Sequence, residues 1–221
     1  MHDLVRDIEM VAFDLDGTLI DSVPDLAVAV DAALEDQGLA PVGEARVRDW
    51  VGNGSRLLVE RALGEALNRW PEEREVEACH ERFLLHYRAS PVARTKLYPG
   101  VREALDGLIV QGVSLTLITN KPEAFIAPIL AHFALTECFG LCLGGDSLDE
   151  KKPDPAPLLH AAAHFGVSPT ACLMVGDSRH DIEAGKRAGF RTLAVPYGYN
   201  HGESVSDSAP DAVVESLTEL V

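Results

Sequence analysis

The run Val11-Ala12-Phe13-Asp14-Leu15-Asp16-Gly17-Thr18-Leu19 decides the reading of this chain. An apolar stretch ends in two carboxylates two residues apart, and a glycine follows. Alternate residues of a strand point to one side, so both acids can face one site. Gly17 allows a sharp backbone turn just after them. Carboxylates at a buried strand end are costly unless a cation or hydrogen bonds hold them. The pattern points to a hard divalent metal and to phosphoryl-transfer chemistry.

Working outward, short apolar runs alternate with helical patterns. Met10–Leu15, Val113–Thr119, Phe139–Leu143, Ala171–Val175 and Thr192–Val195 read as strands. Val101–Gln111, Pro122–Phe133, Pro155–Phe165 and Asp181–Ala188 read as helices between them. Pro122 and Pro155 suit first-turn positions. Gly166 and Gly189 suit helix ends. This alternation predicts an α/β fold with a doubly wound parallel sheet.

Residues 21–95 break the rhythm with helix after helix: Pro24–Asp36, Glu44–Val51, Ser55–Leu67 and Glu73–Ser90. The first has Leu26, Val30, Ala33 and Leu34 on one face and Gly38 as a stop. We read the segment as a helical cap inserted after the first strand. The expected division is a core of residues 1–20 and 96–221 and a cap of residues 21–95. Hinges are expected at Ile20–Ser22 and Arg94–Tyr98.

The chain has 221 residues, 47% of them hydrophobic, with 19 basic and 35 acidic side chains and a formal net charge of −16. That balance argues against nucleic-acid or anionic-membrane partners. Any phosphorylated substrate must therefore meet local positive charge from a metal, lysines or helix N-termini. Cys79, Cys138, Cys142 and Cys172 form no CxxC pair and read as small apolar residues in a reducing compartment. Met1-His2-Asp3-Leu4 carries no basic-then-apolar signal, and no apolar run approaches a bilayer span, so a cytoplasmic location is expected.

In open parallel sheets the site lies beyond the carboxyl ends of the strands. Four groups converge there: Asp14/Asp16, Thr119-Asn120-Lys121, Lys151-Lys152-Pro153-Asp154-Pro155, and Gly176-Asp177-Ser178-Arg179-His180-Asp181. Each alone also reads as an ordinary turn, cap or surface lysine; in this order at successive strand ends they read as one site. Asp14 can be a nucleophile and Asp16 a general acid and base. Mg²⁺ takes octahedral oxygen ligands, which Asp14, the Asp16 carbonyl and Asp177 can supply. Thr119 and Asn120 can grip phosphoryl oxygens, and Lys152 adds charge beside the nucleophile.

These motifs resemble those of the haloacid dehalogenase superfamily, with Asp14-Leu15-Asp16-Gly17-Thr18-Leu19 as the first, Thr119-Asn120 the second, Lys152 the third, and Gly176-Asp177 with Asp181 the fourth. The resemblance implies a Rossmann-like core, a helical cap, and Mg²⁺-dependent hydrolysis through a phospho-aspartate. It implies that Asp181 stands behind the metal waters and Lys152. Asp16 favours phosphate chemistry, because dehalogenating relatives lack this second acid. Asp21-Ser22-Val23-Pro24-Asp25-Leu26, Trp50-Val51-Gly52-Asn53-Gly54, Gly144-Gly145-Asp146 and Tyr197-Gly198-Tyr199-Asn200 are most similar to bacterial phosphoglycolate phosphatases. His180 departs from the Asn of many relatives, and a solvent-facing helix position is expected for it.

The expected substrate is thus a small phosphorylated metabolite, 2-phosphoglycolate. The alternatives are a broader sugar-phosphate phosphatase, a β-phosphoglucomutase-like phosphomutase and, more remotely, a phospho-accepting signalling domain. The cap holds no lysine from Asp21 through Thr95, which excludes a cap-borne Schiff base. Its positive charge comes from arginines, and Arg56, beside the Gly52-Asn53-Gly54-Ser55 loop, is a candidate fork for the substrate carboxylate. Asn53 on the same loop and Lys121 on the core are further candidates. The sequence gives no oligomeric state.

Overall fold

The computed structural model describes residues 5–221; the start Met1–Leu4, read above for a signal, lies outside the described residues. A parallel six-stranded sheet forms the centre, in the order β5-β4-β1-β6-β7-β8. Its strands are β1 (Met10–Phe13), β4 (Ser114–Ile118), β5 (Leu141–Leu143), β6 (Cys172–Gly176), β7 (Arg191–Ala194) and β8 (Ala212–Val213). All its pairings are parallel, and β1 lies between β4 and β6 with Phe13 opposite both Leu117 and Val175.

The central position of β1 explains its unbroken apolar run, since both of its faces are covered. Val11 and Phe13 face one layer, with Leu105 and Leu108 of α5 (Val101–Val110) and Ile129 and Leu130 of α6 (Ile126–His132). Met10 and Ala12 face the other, with Leu158 and Ala161 of α7 (Ala156–Phe165) and Ala184 of α8 (Arg179–Ala188). Residue parity along the strand thus sorts side chains between two helical layers.

Four helices lie between β1 and β4 as well: α1 (Val23–Glu35), α2 (Glu44–Trp50), α3 (Ser55–Leu67) and α4 (Glu73–Ala89). Each matches its sequence expectation within a residue or two. The apolar stripe of α1 predicted from Leu26, Val30, Ala33 and Leu34 is buried. It packs chiefly on α4, and α4 also packs on α3. The helix expected over Pro122–Phe133 begins instead as a 3-10 turn, Glu123–Phe125, before α6.

The chain enters and leaves this helical unit through a two-stranded antiparallel ribbon. Its strands are β2 (Ile20–Asp21) and β3 (Lys96–Leu97), with Ile20 opposite Leu97 and Asp21 opposite Lys96. Beside the ribbon, buried Asp25 of α1 accepts the backbone N–H groups of Arg94 (2.9 Å) and Thr95 (2.8 Å) and the Thr95 hydroxyl (2.6 Å). One carboxylate therefore joins the entry of the helical segment to its exit. Among the described residues, no helix is long and apolar enough to cross a membrane. Cys79 and Cys172 are buried, Cys138 and Cys142 partly so, and all four are free thiols.

Hydrogen bonds to a charged acceptor are the stronger kind, and buried donors left unpaired carry their full desolvation cost. Asp25→Ala is expected to destabilise the fold by roughly 2–4 kcal/mol, read from urea unfolding. An unchanged unfolding midpoint would show that the Asp25 bonds do not hold the ribbon.

Candidate active site

Because β1, β4 and β6 are adjacent and parallel, their carboxyl ends deliver Asp14, Thr119 and Asp177 to one edge of the sheet. Asp14 is buried at the end of β1, its N–H donating to Val175 O at 3.0 Å. Lys152 reaches it from the loop before α7. The Lys152 ammonium donates to Asp14 Oδ1 at 2.8 Å and to Asp181 Oδ1 at 2.6 Å. Asp181, in the first turn of α8, also accepts the Ser178 N–H at 3.0 Å and the Ser178 hydroxyl at 2.7 Å. Its carboxylate is thus fixed by the helix cap and in turn fixes the lysine.

Asp14, Asp177 and Asp181 are all buried and can bring one carboxylate oxygen each within 4.8 Å of one another. One ammonium, that of Lys152, faces these three acids. The remaining negative charge shows in the electrostatics. Burial raises the Asp14 carboxyl to about 6, with Lys152 opposing and Asp181 and Asp16 adding to the rise. Burial, then repulsion from Asp14 and Asp181, holds Asp177 well above the usual carboxylate range. Burial alone would lower Lys152, but Asp14 and Asp181 outweigh it and push the ammonium up to about 12. The donor set is all hard oxygen and carries excess negative charge, which is the chemistry of a divalent-cation site.

Asp177 is positioned by partners far away in sequence. The Thr18 hydroxyl donates to Oδ1 at 2.7 Å, and the Tyr199 N–H donates to Oδ2 at 2.6 Å. Gly17 permits this approach. Its φ is +90°, and a Cβ there would lie 2.2 Å from Asp177 Oδ2. The Tyr197–Asn200 loop accordingly braces the site from outside. Tyr197 Oη donates to Thr18 O at 3.0 Å, and Tyr199 Oη donates to Asp21.

Asp16 turns away from the three-acid cluster. Both of its oxygens accept from the Lys121 ammonium at 3.0 Å, and Oδ1 also accepts from Ser22 at 2.5 Å. Lys121 is buried against the Tyr87 ring, 4.8 Å from its centroid. Burial opposes its charge, but Asp16 outweighs that and keeps the ammonium firmly protonated. Of the acids in the proposed metal set, Asp14 and Asp177 therefore meet in one cluster, joined by Asp181, while the Asp16 carboxylate forms a separate ion pair.

Thr119 is buried, and its Oγ1 accepts the Lys121 N–H at 3.2 Å. The Asn120 amide acts as a tie. Its Nδ2 donates to Gly52 O in the α2–α3 loop and to Lys152 O, both at 3.0 Å, while its Oδ1 has no protein partner. A cavity of about 40 Å³ lies between the helical unit and the sheet edge. Asp14, Asp16, Thr119, Asn120 and Lys121 line it from below, and Gly52, Gly54, Ser55, Phe83 and Tyr87 from above.

Not every expected residue reaches this space. Arg56 does not line it: its guanidinium pairs with Glu73 and, at 3.8 Å, with Glu60, and its side chain is 46% exposed. Asn53 lies beside the cavity rather than in it, its carbonyl 3.4 Å from the Lys151 ammonium and its Oδ1 buried without a partner. The Tyr197–Asn200 loop does not line it either. His180, expected to face solvent, is half-buried with its ring against His201 at 5.7 Å. It is drawn inward because the 196–204 loop folds over the start of α8, where Asn200 Oδ1 accepts the Arg179 N–H. Thr18, Ser22 and Tyr87 are the neighbours sequence reasoning missed. Thr18 lies within the quoted run and Ser22 just beyond it, and that proximity was the only signal of the contacts they make.

This chain belongs to the haloacid dehalogenase-like hydrolases, whose family model matches residues 11–195. It is 44% identical over 217 residues to a phosphoglycolate phosphatase of Nitrosococcus oceani, covering 98% of this chain and 96% of the relative. It is 47% identical over 213 residues to phosphoglycolate phosphatase 1 of Pseudomonas aeruginosa, covering 96% and 78%. A crystal structure described as that of a predicted phosphoglycolate phosphatase from Haemophilus somnus superposes with a TM-score of 0.92 at 37% identity, covering 97% and 96%.

Gly17→Ala combines a backbone conformation that L side chains avoid with an overlap onto Asp177. It is expected to cost roughly 2 kcal/mol or more of stability, seen as a lower melting temperature. A variant melting with the wild type would contradict the close approach of the two loops.

Proposed function

We propose that this chain is a Mg²⁺-dependent phosphatase that hydrolyses 2-phosphoglycolate to glycolate and phosphate through an aspartyl-phosphate on Asp14. The observation that carries the chemistry is the buried set of Asp14, Asp177 and Asp181 around the single ammonium of Lys152. The relatives named phosphoglycolate phosphatase, at 44–47% identity, support the substrate.

In this reading Asp14 attacks phosphorus, and its C–O bond stays intact while the P–O bond to the leaving glycolate oxygen breaks. Lys152 holds the Asp14 carboxylate in position and offsets charge beside the transferring group. Asp16 protonates the leaving oxygen and then takes a proton from the water that attacks the phospho-aspartate. Lys121 and Ser22 hold its carboxylate outside the three-acid cluster, so the group it offers to the metal is its backbone carbonyl. The Thr119 hydroxyl is available to the phosphoryl oxygens. Asn120 fixes the loop around it and ties it to the backbone at Gly52.

Asp14, the Asp16 carbonyl and Asp177 would hold Mg²⁺, with Asp181 behind its waters. When bound, the ion supplies neutralising charge to the phosphoryl oxygens. Residues 21–95 act as the cap and residues 1–20 and 96–221 as the catalytic core, with the β2–β3 ribbon as the connection. The small cavity and its apolar upper wall of Val51, Leu58 and Phe83 favour a short substrate over a polyol phosphate. The protein is expected to act in the cytoplasm on small metabolites, with no nucleic-acid or membrane partner.

The test is phosphate release from a panel of 2-phosphoglycolate and hexose phosphates with Mg²⁺ present. The proposal predicts preference for 2-phosphoglycolate, free phosphate rather than an isomerised sugar phosphate as product, and loss of at least about a thousandfold in kcat for Asp14→Asn. Equal rates across the panel would sink the substrate assignment, and an active Asp14→Asn would sink the nucleophile.

A further inference from the structure

The upper wall of the cavity contains two polar side chains, Tyr87 and Ser55, that the proposed chemistry does not use. Tyr87, on α4, is only 1% exposed, and its O–H finds no acceptor in the protein; the polar group beside it is the Lys121 ammonium, itself a donor. It is held rigidly. Its ring stacks on Phe83 at 5.6 Å and meets Phe125 of the core at 4.8 Å. A buried O–H left without an acceptor is destabilising, so its place at a cavity wall calls for a partner that comes and goes. Burial pushes its phenol up to about 12, with the charge and a hydrogen bond of the Lys121 ammonium opposing, so its O–H remains a donor at neutral pH.

The same wall carries the start of α3. The first N–H groups of a helix lack intrahelical partners, and here Gly54 precedes them with no side chain capping the end. Gly54 and Ser55 line the cavity. Ser55 Oγ is fixed by His80 Nε2 at 2.8 Å, and the His80 ring stacks on Phe83 at 6.2 Å. One aromatic row on α4, His80–Phe83–Tyr87, therefore sets both Ser55 and the Tyr87 hydroxyl at the edge of one space.

The chemistry of this space is one-sided. A protonated phenol and a helix N-terminus donate hydrogen bonds and attract negative charge. The Lys121 ammonium under the Tyr87 ring adds positive potential. Asp16, on the lower wall, is already paired with that lysine. Such a site takes an anionic acceptor.

We propose that Tyr87, together with the uncapped first turn of α3 at Ser55, forms the subsite for the carboxylate at the far end of the substrate. This rests on the reading of the substrate as 2-phosphoglycolate. It replaces the arginine fork expected at Arg56 with neutral donors on the cap. Tyr87 lies at the cap–core boundary, so filling the subsite gives a closed cap a hydrogen bond that only a carboxylate-bearing substrate supplies. Tyr87 is then a specificity residue rather than a core aromatic.

The experiment compares kcat/KM for 2-phosphoglycolate and for ethyl phosphate, which lacks the carboxylate, in wild type, Tyr87→Phe and Ser55→Ala. The ratio between the two substrates is expected to fall roughly ten- to a hundredfold in Tyr87→Phe and in the same direction, less steeply, in Ser55→Ala. The loss should fall mainly on KM for 2-phosphoglycolate. Tyr87→Phe should melt at or above the wild-type temperature, because it removes a buried O–H that has no acceptor. A wild-type preference for 2-phosphoglycolate with an unchanged ratio in both variants would overturn the subsite and leave the phosphatase reading standing. A wild type with no preference between the two substrates would overturn both.

Discussion

Three carboxylates and one ammonium are buried together at the end of the central strand, and the surrounding structure follows from that constraint. Burial beside one another and beside Asp181, with Lys152 as the ammonium that faces them, raises the Asp14 and Asp177 carboxyls and disfavours their charged forms. Pairing alone does not solve the problem, because each carboxylate is also needed at a defined angle. The fold solves the geometric part with donors that cost little. Ser178 and the start of α8 hold Asp181, Thr18 and Tyr199 hold Asp177, and Asp181 in turn steers Lys152 onto Asp14. The charge that remains is what would give a divalent cation its place.

The second acid of the opening motif is handled separately. Asp16 has its own cation in Lys121 and its own donor in Ser22. Two carboxylates two residues apart thus sit in different electrostatic surroundings, one in a cluster rich in acid and one in a balanced pair. That separation would let one loop carry the two roles proposed for it, attack and proton transfer. The helical unit is linked to both. Asn120 ties its α2–α3 loop to the Lys152 loop, Tyr87 covers Lys121, and Asp25 closes the ribbon through which the chain enters and leaves.

Most of this was legible where the signal is local. The run Met10–Phe13 is buried on both faces and reads as a central strand because nothing polar interrupts it. The long helices of residues 21–95 announce themselves by periodicity, and α3 begins and ends where the sequence places it. The two-residue strands β2, β3 and β8 were missed, since two residues carry no period and such strands exist only through their partner. The candidate residues of the core were legible because Asp14, Thr119 and Asp177 each directly follow a strand, while Lys152 precedes a helix and Asp181 opens one. Thr18 was hidden because its partner, Asp177, is 159 residues away. Tyr87 was hidden by its neighbours: in an apolar helical stripe it reads as core. Arg56 misled because sequence shows its nearness to the loop but not that Glu73 and Glu60 already occupy its guanidinium.

A site whose charge a divalent cation completes, at the end of β1, links folding to that cation. Thermal unfolding of the wild type and of Asp177→Asn, each with EDTA and with excess Mg²⁺, tests it without reference to activity. Mg²⁺ is expected to raise the wild-type melting temperature by several degrees, through binding to the folded state alone, and the rise is expected to disappear in Asp177→Asn. A wild-type melting temperature independent of Mg²⁺, or an equal rise in both proteins, would contradict it.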